Sequence, residues 1–238
     1  MKTVIHQASD RGFANHGWLQ ANHSFSFAQF YDPNKMQFGA LRVLNDDVIA
    51  PSMGFSTHPH DNMEIITIPL KGTLKHKDSM GNAWQTIEAG EVQVMSAGTG
   101  LLHSEMNAKT DEYLSLFQIW VIPNKQNVAP RYDQRFFNTE DRQGKLQTLV
   151  TSIDNEEDGL KIHQDARLSR IDLEANQSFK YQAKSDNHGT YVMVMSGGVT
   201  IDDNVLQTRD AIGVTETDNF EIKTNTNTQL LFIEVPMS

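Results

Sequence analysis

The chain has 238 residues, with 30 acidic against 20 basic side chains, a formal net charge of −10, and no cysteine. That length holds one large domain or two small ones around a sizeable core, and 21% charged with 38% hydrophobic residues excludes disorder. The acidic balance and scattered Lys and Arg exclude a grip on nucleic acid, and the lack of thiols excludes disulfides and thiolate metal sites, so any metal must be held by nitrogen and oxygen.

The leading segment MKTVIHQASDRG has no apolar core of the signal-peptide kind. In THPHDNMEI, Thr57 to Ile65, two histidines stand one residue apart around a proline, with β-like flanks on both sides. The longest apolar run, Ile65 to Leu70, is too short to span a bilayer and is broken by Thr67 and Pro69. No membrane partner and a cytoplasmic location are therefore expected.

Strand-like alternation then recurs over Gln93 to Ser96, Leu114 to Val121 and Thr190 to Met195. Turn residues punctuate it at Ser79 to Asn82, Ala89 to Glu91, Ser96 to Gly100 and Asp202 to Asn204. Many short strands between evenly spaced turns predict an all-β sandwich or barrel. The one stretch expected to hold a short helix is Pro130 to Gly144.

The pattern also repeats. Leu70-Lys71-Gly72-Thr73-Leu74 precedes Ala89-Gly90-Glu91-Val92, and later Met195-Ser196-Gly197-Gly198-Val199 precedes Thr208-Arg209-Asp210-Ala211. Each half closes on a β run ending in proline, at Pro123 and Pro236. Two similar β units in tandem are expected, with the division placed at 1–128 and 129–238. The acidic stretch from Asp154 to Gly159 is expected to be a solvated loop.

Four of the nine histidines, His58, His60, His76 and His103, fall between residues 58 and 103, whereas His163 and His188 alone fall in the second unit. Residues two apart on a strand share a face. His58 and His60 can therefore aim at one point, and so can His103 and Glu105. Three nitrogens and one carboxylate oxygen suit a divalent ion of the Fe, Mn, Ni, Cu or Zn type, with room left in the shell for water, dioxygen or substrate. Pro59 predicts an edge or bulged strand, since it has no N–H for a ladder. His76 lies between Lys75 and Lys77, and alternation allows it to face the site or to be exposed.

These residues resemble a known family. Gly54, His58, His60, Glu64 and Gly72 match the first cupin motif, and Gly90, Ser96, Gly98, Gly100, His103 and Asn107 the second. His58-Pro59-His60, Ala97-Gly98-Thr99-Gly100 and His103-Ser104-Glu105-Met106 look like pirin. His16-Gly17-Trp18-Leu19, His23-Ser24-Phe25-Ser26-Phe27-Ala28, Tyr31-Asp32-Pro33 and Asp78-Ser79-Met80-Gly81-Asn82 look like bacterial pirin-like bicupins with quercetin 2,3-dioxygenase activity. The resemblance implies two tandem cupin barrels (double-stranded β-helix, jelly-roll), with metal only in the N-terminal one and a structural, metal-free second. Tyr181, Ala183 and Lys184 stand where the second unit would need its H-x-H.

The implied ligands are His58, His60, His103 and Glu105. Cupins in general use the first-motif glutamate, here Glu64, and strand parity allows it if no bulge intervenes, so spacing leaves both carboxylates open. The pirin resemblance favours Glu105 and leaves Glu64 and His76 behind the ligands or at the pocket. Ser96 stands where cupins often place proline, with no consequence expected for the metal. The implied cofactor is one divalent ion, Fe(II) first, with Mn, Ni, Cu, Co or Zn as alternatives. The implied reaction is cleavage of the central ring of a flavonol such as quercetin by dioxygen, releasing carbon monoxide, with Glu105 as base. Phe38, Met53 and Phe55 are candidates to line the cleft, with barrel core as the competing role. The alternative is a non-catalytic pirin-type metal-sensing partner of other proteins, distinguished by a plugged rather than open cleft. A monomer is expected.

Overall fold

The computed structural model describes residues 1–81, 83–185 and 187–237; Asn82, the last residue of the Asp78–Asn82 motif, lies outside them. Segments with period-two alternation form strands, because alternation buries one set of side chains only when successive residues point to opposite faces. The strands build two jelly-roll barrels, each a seven-stranded sheet with a four-stranded sheet.

In the first barrel the large sheet runs in the order Arg131–Phe136, Glu91–Ser96, Glu64–Lys71, Leu114–Val121, Leu41–Ile49, Leu19–His23 and Gly12–Asn15. Its small sheet runs Gly54–His60, Leu101–Asn107, Thr73–Asp78 and Gln85–Glu88. In the second barrel the large sheet runs Lys2–His6, Ala211–Thr215, His188–Ser196, Thr228–Pro236, Arg167–Leu173, Gln147–Ser152 and Leu160–Ile162. Its small sheet runs Ser178–Gln182, Asn219–Thr224, Gly198–Ile201 and Asn204–Gln207.

Two strands are exchanged between the barrels. Lys2–His6, at the chain's start, pairs with Ala211–Thr215 of the second barrel. Arg131–Phe136, beyond residue 128, pairs with Glu91–Ser96 of the first. Each covers a sheet edge that would otherwise present unpaired N–H and C=O groups. Nothing in the alternation of a strand says which sheet it will join.

The two large sheets pack against each other. Phe117 and Ile119 of one and Tyr191, Met193, Leu231 and Ile233 of the other belong to a single buried cluster. Fully burying each such side chain contributes about 1.5–3 kcal/mol. The opposite faces of these sheets are also covered, by clusters around Leu116 in the first barrel and Phe232 in the second. Burial on both faces explains why runs such as Thr190 to Met195 are almost wholly apolar.

The stretch expected to carry a helix divides. It holds the strand Arg131–Phe136 and then one 3-10 turn, Thr139–Arg142, whose first amides are met by the Asn138 side chain, accepting from Glu140 N at 3.1 Å. The acidic loop is solvated, with the Asp158 side chain 90% exposed and paired to Arg135. Among the described residues no helix is long and apolar enough to cross a membrane.

Candidate metal centre

The centre is built on the small sheet of the first barrel. Leu101–Asn107 runs between Thr73–Asp78 and the edge strand Gly54–His60. His103 stands opposite His58. Pro59, on that edge, withholds no ladder bond from a further neighbour. The register shifts between His103 and Glu105, so that Glu105 faces Phe55. This bulge re-aims the side chains that follow it. Gly54 permits the close approach, because a Cβ there would lie 2.1 Å from the Glu105 carbonyl oxygen.

Three imidazoles converge. Ring centroids are 4.3 Å apart for His58 and His103, 4.7 Å for His60 and His103, and 4.9 Å for His58 and His60. One nitrogen from each lies within 4.8 Å of the others, and Nε2 of His58 is 2.9 Å from Nε2 of His103. Nδ1 of His58 is 2.7 Å from the Ser56 carbonyl, which can only accept, so that nitrogen carries the proton and Nε2 presents its lone pair. Burial and His58 push His60 down to about 4. Burial, then the other histidines, pushes His103 far below its usual range. Neutral imidazoles with converging lone pairs suit a cation: two nitrogens each about 2.1 Å from one ion and at right angles stand about 3 Å apart.

Glu105 lines the same cavity and is 3% exposed, but its carboxylate is not part of the group of atoms that converge within 4.8 Å. Its Oε2 accepts from Gln118 Nε2 at 3.0 Å, while its buried Oε1 has no partner. Burial raises it to about 7, against the bonds from Gln118 and Thr67. An unpartnered buried carboxylate is costly, and a neighbouring divalent ion reverses that cost. The residues present therefore fit a metal ion. Among the described residues, no other group of three such side chains converges this way.

Glu64 is elsewhere. It begins Glu64–Lys71 in the large sheet, beyond a turn at Asn62 with φ +44°, so strand parity does not carry across from His60. Its Oε2 accepts from Ser96 Oγ at 2.6 Å, which gives a use to the serine found in place of proline. Ile65, not Glu64, lines the cavity. His76 is buried rather than exposed between its lysines. It packs behind His103 at 5.3 Å and stacks on Tyr132 at 5.0 Å, outside the cavity lining.

Above the imidazoles lies a cavity of about 420 Å³, in the range of small-molecule sites. Trp18, Phe27, Phe55 and Trp120 give it aromatic walls. Of the three cleft candidates only Phe55 is among them; Phe38 sits in the core between the large sheets and Met53 is exposed. His58 and His60 are only partly buried, so the centre opens toward solvent on that side.

Polar lining residues that the sequence reading passed over are His23, Asn45, Asp47 and Gln118. Their signal was present. Asn45, Asp46 and Asp47 interrupt the apolar strand Leu41–Ile49, and Gln118 interrupts Leu114–Val121. Polar residues inside otherwise buried strands mark function more often than packing.

Asp47 is 5% exposed with an unpartnered Oδ1, and burial, Asp46 and Glu105 raise it to about 8. The folded state therefore keeps a proton that the unfolded state releases near pH 4. Stability from this group is present below that and falls as pH rises toward 8. At about 1.4 kcal/mol per unit the loss reaches several kcal/mol. In metal-free protein, Asp47→Asn is expected to flatten the fall of melting temperature between pH 5 and 8; an unchanged slope by circular dichroism sinks the assignment.

Comparison with known proteins follows the same lines. A profile of the family described as Pirin matches residues 5–121, and one described as quercetinase C-terminal cupin domain matches residues 149–235. The chain is 44% identical over 232 residues to the quercetin 2,3-dioxygenase of Escherichia coli K12, covering 98% of each. It is 41% identical over 223 residues to a pirin-like protein of Caulobacter vibrioides, covering 94% of this chain and 95% of that one. The crystal structure of the E. coli bacterial pirin YhhW in complex with nickel(II) superposes with a TM-score of 0.93 at 40% identity, over all of both chains.

Proposed function

This chain belongs to the pirin family and is a quercetin 2,3-dioxygenase-like oxidoreductase, and from that premise we propose that it cleaves the central ring of a flavonol with dioxygen, releasing carbon monoxide. His58, His60 and His103 hold a divalent ion with Glu105 as the fourth ligand; Fe(II) is the ion we favour. The observation that carries the reading is the convergence of three imidazoles in an aromatic-walled cavity that also holds the unpartnered Glu105 oxygen.

When bound, the ion supplies Lewis acidity and a template that brings flavonol and dioxygen together. The chain's own residues do the rest. Trp18, Phe27, Phe55 and Trp120 accept flat rings and exclude water. Gln118 holds Glu105 by Oε2, leaving Oε1 to take the proton of the flavonol's acidic hydroxyl. The O–H electron pair stays on the flavonol oxygen, which makes the ring electron-rich toward dioxygen. Asp47, protonated by burial, and the unpartnered Nε1–H of Trp120 are donors for substrate oxygens.

We assign the metal to residues 1–128 and a supporting role to residues 129–238. The register that pairs His103 with His58 pairs Phe220 with Tyr181 in the second barrel. Tyr181 is buried, stacked on Phe232 at 4.6 Å and bonded to Glu234 at 2.8 Å, so packing fills the place a site would need.

Natively purified protein is expected to carry one divalent ion per chain by elemental analysis. In air it is expected to bleach quercetin with one carbon monoxide released per molecule consumed. Fully metallated protein that leaves quercetin intact would favour the metal-sensing interaction module, which needs the same imidazoles but no substrate cavity.

A further inference from the structure

Between the two large sheets a second cavity opens, of about 430 Å³. Arg142, Arg170 and Arg209 line it, with Leu70, Phe136 and Met195 among its apolar walls. Arg170, on Arg167–Leu173, is 8% exposed. Its Nε has no hydrogen-bond partner, and no ion pair among the described residues includes it. Burial and the neighbouring Arg142 lower it only to about 10, so it remains charged at neutral pH.

Asp172 offsets part of this charge, but no neighbouring carboxylate is in ion-pair contact with Arg170. Arg142 Nε donates to Asp172 at 3.0 Å. Arg209 Nε donates to Asp46 at 2.8 Å, and Arg11 Nη1 reaches the same Asp46 oxygen at 3.3 Å. Three guanidiniums therefore share two carboxylates, and Arg170 is paired with neither. Arg209 also occupies a strained backbone position, φ +72°, where the repeat's first copy has Gly90 at φ +99°. A side chain kept at a glycine-like position argues for the guanidinium itself. A buried charge needs a partner, and a planar fork matches a carboxylate at two points.

We propose that this seam cavity binds a small organic carboxylate, gripped by Arg170 with Arg142 and Arg209 alongside and its carbon skeleton against Leu70, Phe136 and Met195. Leu70 and Phe136 come from strands of the first large sheet, and Arg170 and Met195 from the second. An occupant therefore ties the two barrels together. This site is separate from the metal centre and does not rest on the flavonol reading. The competing arrangement is internal: Asp172 Oδ1 is also buried and unpartnered, two residues along the same strand. A shift of Arg170 onto it would satisfy both groups.

Thermal unfolding and calorimetric titration of the full chain distinguish these. Benzoate and succinate serve as probes, with sodium chloride at matched ionic strength as control and inorganic phosphate as a second arm. One or both carboxylates are expected to raise the melting temperature by several degrees, saturably, beyond chloride and phosphate. His103→Ala should keep that response, which separates it from chelation of the metal. Arg170→Met should lose at least tenfold in affinity while melting no lower than wild type in chloride. No carboxylate effect beyond chloride, a stronger response to phosphate, or a full response in Arg170→Met overturns the proposal. If Arg170→Met does not fold, the wild-type titration decides alone.

Discussion

His103→Ala is expected to leave a folded chain with almost no bound metal and no detectable flavonol cleavage. His103 sits on a strand with neighbours on both sides and lies within 4.3 and 4.7 Å, ring to ring, of the other two imidazoles. Removing even a neighbour of a ligand costs about 10–100-fold in metal affinity, and removing a ligand costs more. The ladder bonds of Leu101–Asn107 belong to the backbone and survive. The packing lost is that of one imidazole against His76, a cost of about 1–3 kcal/mol. The far-ultraviolet circular dichroism should therefore be unchanged while elemental analysis shows less than a tenth of an ion per chain. A variant that keeps a full equivalent of metal ends the three-imidazole assignment.

The meeting of the three imidazoles was legible because its geometry is local. His58 and His60 need only strand parity to converge, and His103 needs only the partner strand. Pro59 announced the edge. The carboxylates were harder, because parity fails once the chain changes sheet. Between His60 and Glu64 the backbone turns at Asn62 and enters the other wall of the barrel, so a spacing that looks like one face is two. The exchanged strands Lys2–His6 and Arg131–Phe136 were illegible for a related reason: the partner that an edge strand finds is set by the tertiary arrangement. The polar wall of the cavity, Asn45, Asp47 and Gln118, stood in view as violations of an apolar pattern. Trp18, His23 and Phe27 lay inside the motifs that carried the family resemblance, yet their spacing gives no hint that they meet above the imidazoles.

Glu105→Gln is expected to weaken binding of the ion and to lose the reaction even in the chains that carry it. The amide is isosteric, and its oxygen can still accept from Gln118 Nε2, so the side chain holds its place. What disappears is a second oxygen able to take a proton. General-base assistance of this kind is worth about 10²–10⁴-fold, so single-turnover bleaching per bound ion should slow by that factor, measured with the metal content of each sample. In metal-free protein burial raises Glu105 to about 7, and a bound cation favours its ionised form. The wild-type rate should therefore rise with pH to a plateau reached below neutrality, and the glutamine variant should lack that rise. Glu64→Ala is expected to leave turnover unchanged, because Glu64 bonds Ser96 away from the cavity. If Glu105→Gln bleaches quercetin at the wild-type rate, the proton goes elsewhere, and Asp47, the other buried carboxyl in the cavity, becomes the group to test.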